Sequence, residues 1–217
     1  MPKVFLIAGL GADKRLFKNI RIPEGYEVVY ADWLEPNLTD TLAGYAQSII
    51  SQYNISDYDI AIGVSLGGVI STEIAKRVNL RKVILISSIK TDSEAPFYFN
   101  VFRKIPVYKL TSGELFNKLG FVVRLVFGSM SKEDQLLFKS MLSNSSPVFL
   151  KWAMGAVLNW RNDVIPPNLY HIIGDKDLVF PYKNIKNPTA VIKGGTHIIV
   201  FDRAEEINTL LADILIP

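Results

Sequence analysis

Six short runs rich in apolar and β-branched residues recur along the chain, near 3–9, 27–32, 58–64, 82–88, 168–173 and 188–193. Segments of helical or loop character separate them. Strands that alternate with helices pair in parallel, so the pattern predicts one sheet covered on both faces. Residues 39–53 predict a helix with Leu42, Ala46, Ile49, Ile50 and Tyr53 on one stripe. Residues 68–77 have helical spacing too, with Glu73 and Arg77 one turn apart and able to pair. Near the C-terminus, Asp202 is placed to cap a helix, Glu205 to complete the cap, and Ile207, Leu210, Leu211 and Ile214 to form its apolar face. The alternation breaks once. Between Ile89 and Pro147 no strand–helix unit is legible, and the stretch is too long for an ordinary loop. Helix starts are nevertheless visible at Ser131, followed by Glu133 and Asp134, and at Ser146-Pro147, where proline suits the first helical position.

The third run ends in Gly63-Val64-Ser65-Leu66-Gly67, with the helical segment directly after it. A serine on a sharp strand-to-helix turn is held in a strained conformation with its hydroxyl exposed, and the flanking glycines let the backbone pass without a clashing Cβ. The new helix also aims amide N–H groups at the point where negative charge would develop. Two further loops follow predicted strands: Gly174-Asp175-Lys176-Asp177 after Leu169–Ile173, and Gly194-Gly195-Thr196-His197 after Ala190-Val191-Ile192. Serine, acid and histidine therefore come in that order, each at a strand end.

Through Gly63-x-Ser65-x-Gly67-Gly68, Gly174-x-x-Asp177 and Gly194-Gly195-Thr196-His197 the chain resembles the α/β-hydrolase superfamily over nearly its whole length. The resemblance implies an α/β fold, a doubly wound, mostly parallel sheet of about six strands in the order 2-1-3-4-5-6. It also implies that residues 1–217 form a single domain, with a helical cap inserted over 89–147. The two antiparallel strands that often begin larger members are missing from the pattern.

Each candidate has a plainer alternative. Ser65 could simply cap the helix that follows; the ordered acid and histidine favour a nucleophile instead. His197 would be its base, since imidazole accepts and returns a proton near neutral pH. The other histidine, His171, lies inside a predicted strand and reads as a hydrogen-bonded core residue. For the acid, the family's spacing selects Asp177 and makes Asp175 a turn residue, with Asp175 as the alternative. The resemblance assigns the oxyanion hole to the backbone N–H of Leu66 and of Leu10, the latter in Ala8-Gly9-Leu10-Gly11. Many relatives have His-Gly at Ala8-Gly9, and lipase-like members often have His at Val64, so the chain departs from both patterns.

Composition narrows the chemistry. At 217 residues the chain is large enough for one domain with a full core, and 49% of it is hydrophobic. It has no cysteine and two histidines, which rules out disulfides, thiolate chemistry and histidine-rich metal sites. The 24 basic and 21 acidic residues are mixed, leaving a net charge of +3 and no footprint for nucleic acid or an anionic membrane. Val4–Leu10 follows a single lysine and precedes no small-residue cleavage site, so it reads as a buried first strand and predicts a cytoplasmic protein. Of 12 phenylalanines, eight fall between Phe97 and Phe149, with Tyr98, Tyr108 and Trp152 among or just beyond them. They either line an apolar acyl pocket or fill the cap's own core. Arg103, Lys104, Lys109, Lys118 and Arg124 read as a solvated face.

These features predict a serine hydrolase of the carboxylesterase or thioesterase kind. It would act on a small, apolar ester-like molecule through an acyl-enzyme on Ser65, without cofactor or metal. A slow-turnover ligand-binding or sensor protein is the second class, and a lyase or cofactor-free oxidoreductase using the same three residues a third.

Overall fold

All six apolar runs form strands in the computed structural model, which describes residues 1–105, 127–128 and 130–216. The strands are β1 (Lys3–Ile7), β2 (Glu27–Ala31), β3 (Ile60–Val64), β4 (Lys82–Ile86), β5 (Leu169–Gly174) and β6 (Ala190–Ile192). They form one sheet in the order β2-β1-β3-β4-β5-β6 with every pair parallel. Side chains alternate across the sheet. Phe5, Ile7, Ala61 and Leu85 face one core, while Val4, Leu6, Ile60, Ile62, Ile84 and Ile86 face the other. Both faces of the central strands are dry, which is why β1 and β4 are apolar at every position after their first residue, Lys3 and Lys82, and β3 throughout. Each such side chain contributes about 2 kcal/mol by leaving water.

The first face is covered by α1 (Leu42–Tyr53), α2 (Leu66–Ala75) and a helix that closes the long insertion. Thr41 caps α1 by accepting the Gly44 N–H at 3.0 Å, and Asn54 ends it in the left-handed conformation at φ 51°. Glu73 of α2 makes the anticipated pair with Arg77, just past the helix end, at 2.8 Å, and is joined by Lys76 and the indole N–H of Trp160.

Between β4 and β5 the described residues form α3 (Tyr98–Lys104), α4 (Lys132–Asn144) and α5 (Pro147–Asn159). Ser131 caps α4 through the Asp134 N–H, and Ser146 caps α5 through the Phe149 N–H. Phe149, Leu150 and Trp152 of α5 belong to the same core as α1 and α2, while Phe138 and Met141 of α4 join the opposite core. The expected insertion over 89–147 lies partly outside the described residues, as do Tyr108, Lys109, Phe116, Lys118, Phe121 and Arg124.

After β6 the chain forms α6 (Ile199–Asp202) and α7 (Ala204–Ile214). Asp202 does not cap α7: it is the last residue of α6, and Arg203 holds the cap position without a side-chain bond. Ile199, Val200 and Phe201 are buried, so core packing draws the chain into a helical turn before α7 begins. The Ile207 N–H is then satisfied by the Arg203 carbonyl at 3.1 Å. Among the described residues no helix is long and apolar enough to cross a membrane.

Candidate active site

Ser65 stands between β3 and α2 at φ 54° and ψ −117°, a left-handed conformation that costs a non-glycine residue of order 1–3 kcal/mol. Two close approaches hold it there. A Cβ on Gly63 would lie 2.2 Å from the Gly67 carbonyl oxygen, and one on Gly67 would lie 2.1 Å from the carbonyl oxygen of Ile7 in β1. Both positions therefore accept hydrogen alone. The Ser65 hydroxyl makes no capping bond to α2, which removes the helix-cap explanation. It lies 3.0 Å from Nε2 of His197 instead.

His197 comes from the loop after β6, and its Nδ1 lies 2.8 Å from Oδ2 of Asp177. Asp177, in the loop after β5, is almost fully buried. Its other oxygen, Oδ1, accepts the backbone N–H groups of Val179 and Phe180, both at 2.8 Å. A carboxylate can only accept, so Nδ1 carries the imidazole proton and Nε2 faces Ser65 with a free lone pair. Asp175 does something else. Its Oδ1 accepts the Gly194 N–H at 2.6 Å, tying the acid loop to the loop that delivers His197.

The helices after β4 reach this assembly from two sides. The hydroxyl of Tyr98 in α3 donates to the carbonyl of Val179, whose own N–H holds Asp177. Burial, and then the nearby charge of Asp177, push the Tyr98 phenol upward, so it remains a donor across the working pH range. The Phe127 ring meets His197 edge-on at 4.8 Å and Phe180 does so at 5.6 Å, shielding the imidazole from water.

A cavity of about 30 Å³ opens beside Ser65 and His197, its walls including Leu10, Leu16, Val64, Phe127, Phe138 and Val200. The aromatics thus divide. Phe127 and Phe138 line the site, Phe99 and Phe149 fill the core, and Phe97 and Phe102 are exposed. Among the described residues, neither the Leu10 nor the Leu66 N–H donates a hydrogen bond. Leu10 lines the cavity and Leu66 directly follows Ser65. A larger groove, of about 710 Å³, lies between α1, α2 and α5 and shares no residue with this cavity. Its Lys76 and Arg77 are already engaged by Glu73.

Behind Ser65 lies a cluster that the chain's order does not reveal. The Ser88 hydroxyl, just past the end of β4, donates to the Ser65 carbonyl at 2.7 Å. His171 of β5 lies with Nε2 2.9 Å from the Ser88 carbonyl, and its Nδ1 faces the Lys90 ammonium at 3.4 Å. Lys90 in turn pairs with Glu94 at 2.6 Å, and Lys90, Glu94 and His171 are all buried. Burial first, then the Lys90 charge, lower the His171 pKa to about 4, so its imidazole is neutral. His171 is therefore the hydrogen-bonded core residue its strand position implies. Among the described residues no group of acidic and histidine side chains converges as a metal site would require.

No protein-family model matches the chain, and no curated protein matches it either. Solved structures do. A bromoperoxidase from Bacillus anthracis superposes with a TM-score of 0.73 at 17% identity, over 99% of this chain and 91% of that one. An esterase from Exiguobacterium antarcticum gives 0.73 at 18% identity, over 99% and 92%. A hydrolase from Pseudomonas aeruginosa gives 0.79 at 13% identity, over 99% and 89%.

Proposed function

The chain has the α/β-hydrolase fold, and from that premise we propose that it is a serine hydrolase cleaving a small, apolar ester or thioester. The observation that carries the reading is the continuous contact from Asp177 through His197 to a Ser65 hydroxyl held in a strained turn and spent on no cap. Fold likeness alone would not carry it, since one fold hosts many chemistries.

In the proposed reaction the substrate carbonyl enters beside Ser65. Nε2 of His197 takes the hydroxyl proton as Oγ bonds to the carbonyl carbon, and the N–H groups of Leu66 and Leu10 receive the developing oxyanion. Asp177 keeps the proton on Nδ1 and stabilises the imidazolium. The imidazolium then protonates the departing alkoxide or thiolate, leaving an acyl group on Ser65. In the second half His197 draws a proton from water as the water oxygen bonds to the acyl carbon, and the imidazolium then returns that proton to Oγ of Ser65 as the acyl–Oγ bond breaks and the acid leaves. The cavity's walls are apolar and its volume of about 30 Å³ is small, which favours a small acyl group that the site must open to admit, and Phe138 of α4 with Phe127 serves as a cap over Ser65. The reaction needs no cofactor.

A fluorophosphonate probe together with p-nitrophenyl acetate tests the reading. The parent protein is expected to label at one site per chain and to turn over, and Ser65→Ala to do neither while remaining folded. Labelling without turnover would replace the enzyme by a ligand-binding protein on the same residues. Turnover by Ser65→Ala within about tenfold of the parent would remove Ser65 from the reaction.

A further inference from the structure

We propose that Ser88 is a positioning residue for the oxyanion hole, acting through the Ser65–Leu66 peptide; this rests on the hydrolase reading above. A peptide unit is planar, and its C=O and N–H point in opposite directions. Whatever anchors the Ser65 carbonyl therefore sets where the Leu66 N–H points. That carbonyl accepts the N–H groups of Gly68 at 2.9 Å and Val69 at 3.3 Å, the ordinary contacts of a helix start. Its shortest partner is neither of these but the Ser88 hydroxyl, at 2.7 Å.

Ser88 is itself built in. It is fully buried, and its oxygen fills the space beside Gly68, where a Cβ would lie 2.4 Å away. Its carbonyl is held by Nε2–H of His171 at 2.9 Å. An ammonium can only donate, so Lys90 requires Nδ1 of His171 as acceptor and leaves the proton on Nε2. Lys90 is fixed by Glu94 and by the Lys186 carbonyl, and Glu94 also accepts the N–H groups of Lys90 and Lys186, each at 2.9 Å. A buried ionic cluster with no part in proton transfer thus ends on the one hydroxyl that orients an oxyanion donor. Without that anchor the strained Ser65 peptide can tilt, and the Leu66 N–H loses its aim at the developing charge. Substrate binding in the ground state makes little use of that aim.

Ser88→Ala removes the anchor and keeps the shape. The expected result with p-nitrophenyl acetate is a kcat lowered about 10- to 100-fold, below the loss for deleting an oxyanion donor outright, with KM within about twofold. The Ki of trifluoroacetone, whose adduct carries the oxyanion, should rise by the same factor as kcat falls. Stoichiometric labelling by the fluorophosphonate and an unchanged thermal midpoint would separate this from loss of fold. If Ser88→Ala does not fold, Ser88→Cys, with a weak donor of similar size, is expected to lose about tenfold in kcat. A kcat within threefold of the parent, or a fall in kcat with no change in the trifluoroacetone Ki, overturns the proposal. If the parent labels without turnover, the labelling rate takes the place of kcat. If the parent neither labels nor turns over, the hydrolase reading falls and this one with it.

Discussion

Replacing Asp177 by asparagine tests the site most sharply, because the structure decides how the amide must sit. Oδ1 of Asp177 accepts two backbone N–H groups, from Val179 and Phe180, and Oδ2 faces the protonated Nδ1 of His197. Asparagine has one acceptor oxygen and one NH2. If the oxygen stays on the two amides, the NH2 faces His197, which must then accept at Nδ1 and carry its proton on Nε2. That tautomer points a proton at Ser65 and cannot take one. If the amide turns over, the NH2 confronts two buried N–H donors, each costing about 1–3 kcal/mol when left unsatisfied. The productive state therefore lies about 2–6 kcal/mol uphill, and the charge that stabilises the imidazolium is gone as well. At 1.36 kcal/mol per tenfold the uphill step alone lowers kcat by about 30-fold to 2 × 10⁴-fold, and the lost charge adds to it, so the expected loss is about 10⁴, the size seen for the same change in a serine protease. Asp175→Asn keeps an acceptor for the Gly194 N–H and is expected to stay within about tenfold of the parent. Steady-state hydrolysis of p-nitrophenyl acetate by both variants decides. An Asp177→Asn enzyme within tenfold of the parent, or an Asp175→Asn enzyme that loses more, would refute the reasoning.

Gly67→Ala should lower the thermal midpoint by about 10 °C or prevent folding, because its Cβ meets the backbone of β1 and no side chain can yield; a midpoint within 2 °C of the parent would contradict the packing. Acid should weaken the fold through His171. Its neutral form is favoured by burial, so the unfolded chain protonates near pH 6.5 and the folded one near 4, and stability is complete above 6.5 and lost on the way down to 4. Between pH 7 and 4.5 the parent should lose about 2–3 kcal/mol more than His171→Asn in urea denaturation, and equal losses would remove His171 as the cause. The cavity beside Ser65 is about the size of one water molecule, so kcat/KM should fall from p-nitrophenyl acetate to the octanoate. A rise of about fourfold per methylene would show that the acyl chain enters a larger apolar space.

What the sequence discloses here depends on how far a residue's partners lie along the chain. The central strands are legible because both their faces are dry, so apolar residues run unbroken through β3 and through β4 from Val83 to Ile86. The turn at Ser65 is legible because Gly63, Ser65 and Gly67 stand within five residues, although Gly67 is required by the distant backbone of Ile7 in β1. Asp177 and His197 are legible by order and loop chemistry. Local rules fail where packing overrules them. Asp202 has the chemistry of a helix cap, yet buried Ile199, Val200 and Phe201 fold the chain into a helical turn that consumes it. The aromatics between Phe97 and Phe149 could not be apportioned from composition, since lining a site and filling a core ask for the same side chains. Tyr98 carries no sequence signal of its contact with the acid loop, because that contact joins residues 81 positions apart.

The strand order explains where the unseen residues gather. Ser65 leaves β3 and Asp177 leaves β5, and β4 lies between them. Whatever follows β4 must therefore sit directly behind both loops, although its position in the chain suggests only a connection into the long insertion. Ser87, at φ 48°, turns the chain there, Ser88 reaches the Ser65 carbonyl, and Lys90 reaches across to His171 on β5. Ser88, Lys90, Glu94 and His171 are polar there because the carbonyls of Ser65, Ser88 and Lys186 and the N–H groups of Lys90 and Lys186 take their side chains as partners. In a parallel sheet whose nucleophile and acid leave strands separated by one other, the residues just past that intervening strand are the place to look for groups that aim the reacting ones. Their chemistry need not resemble a catalytic motif, since they act on peptide planes and not on substrate.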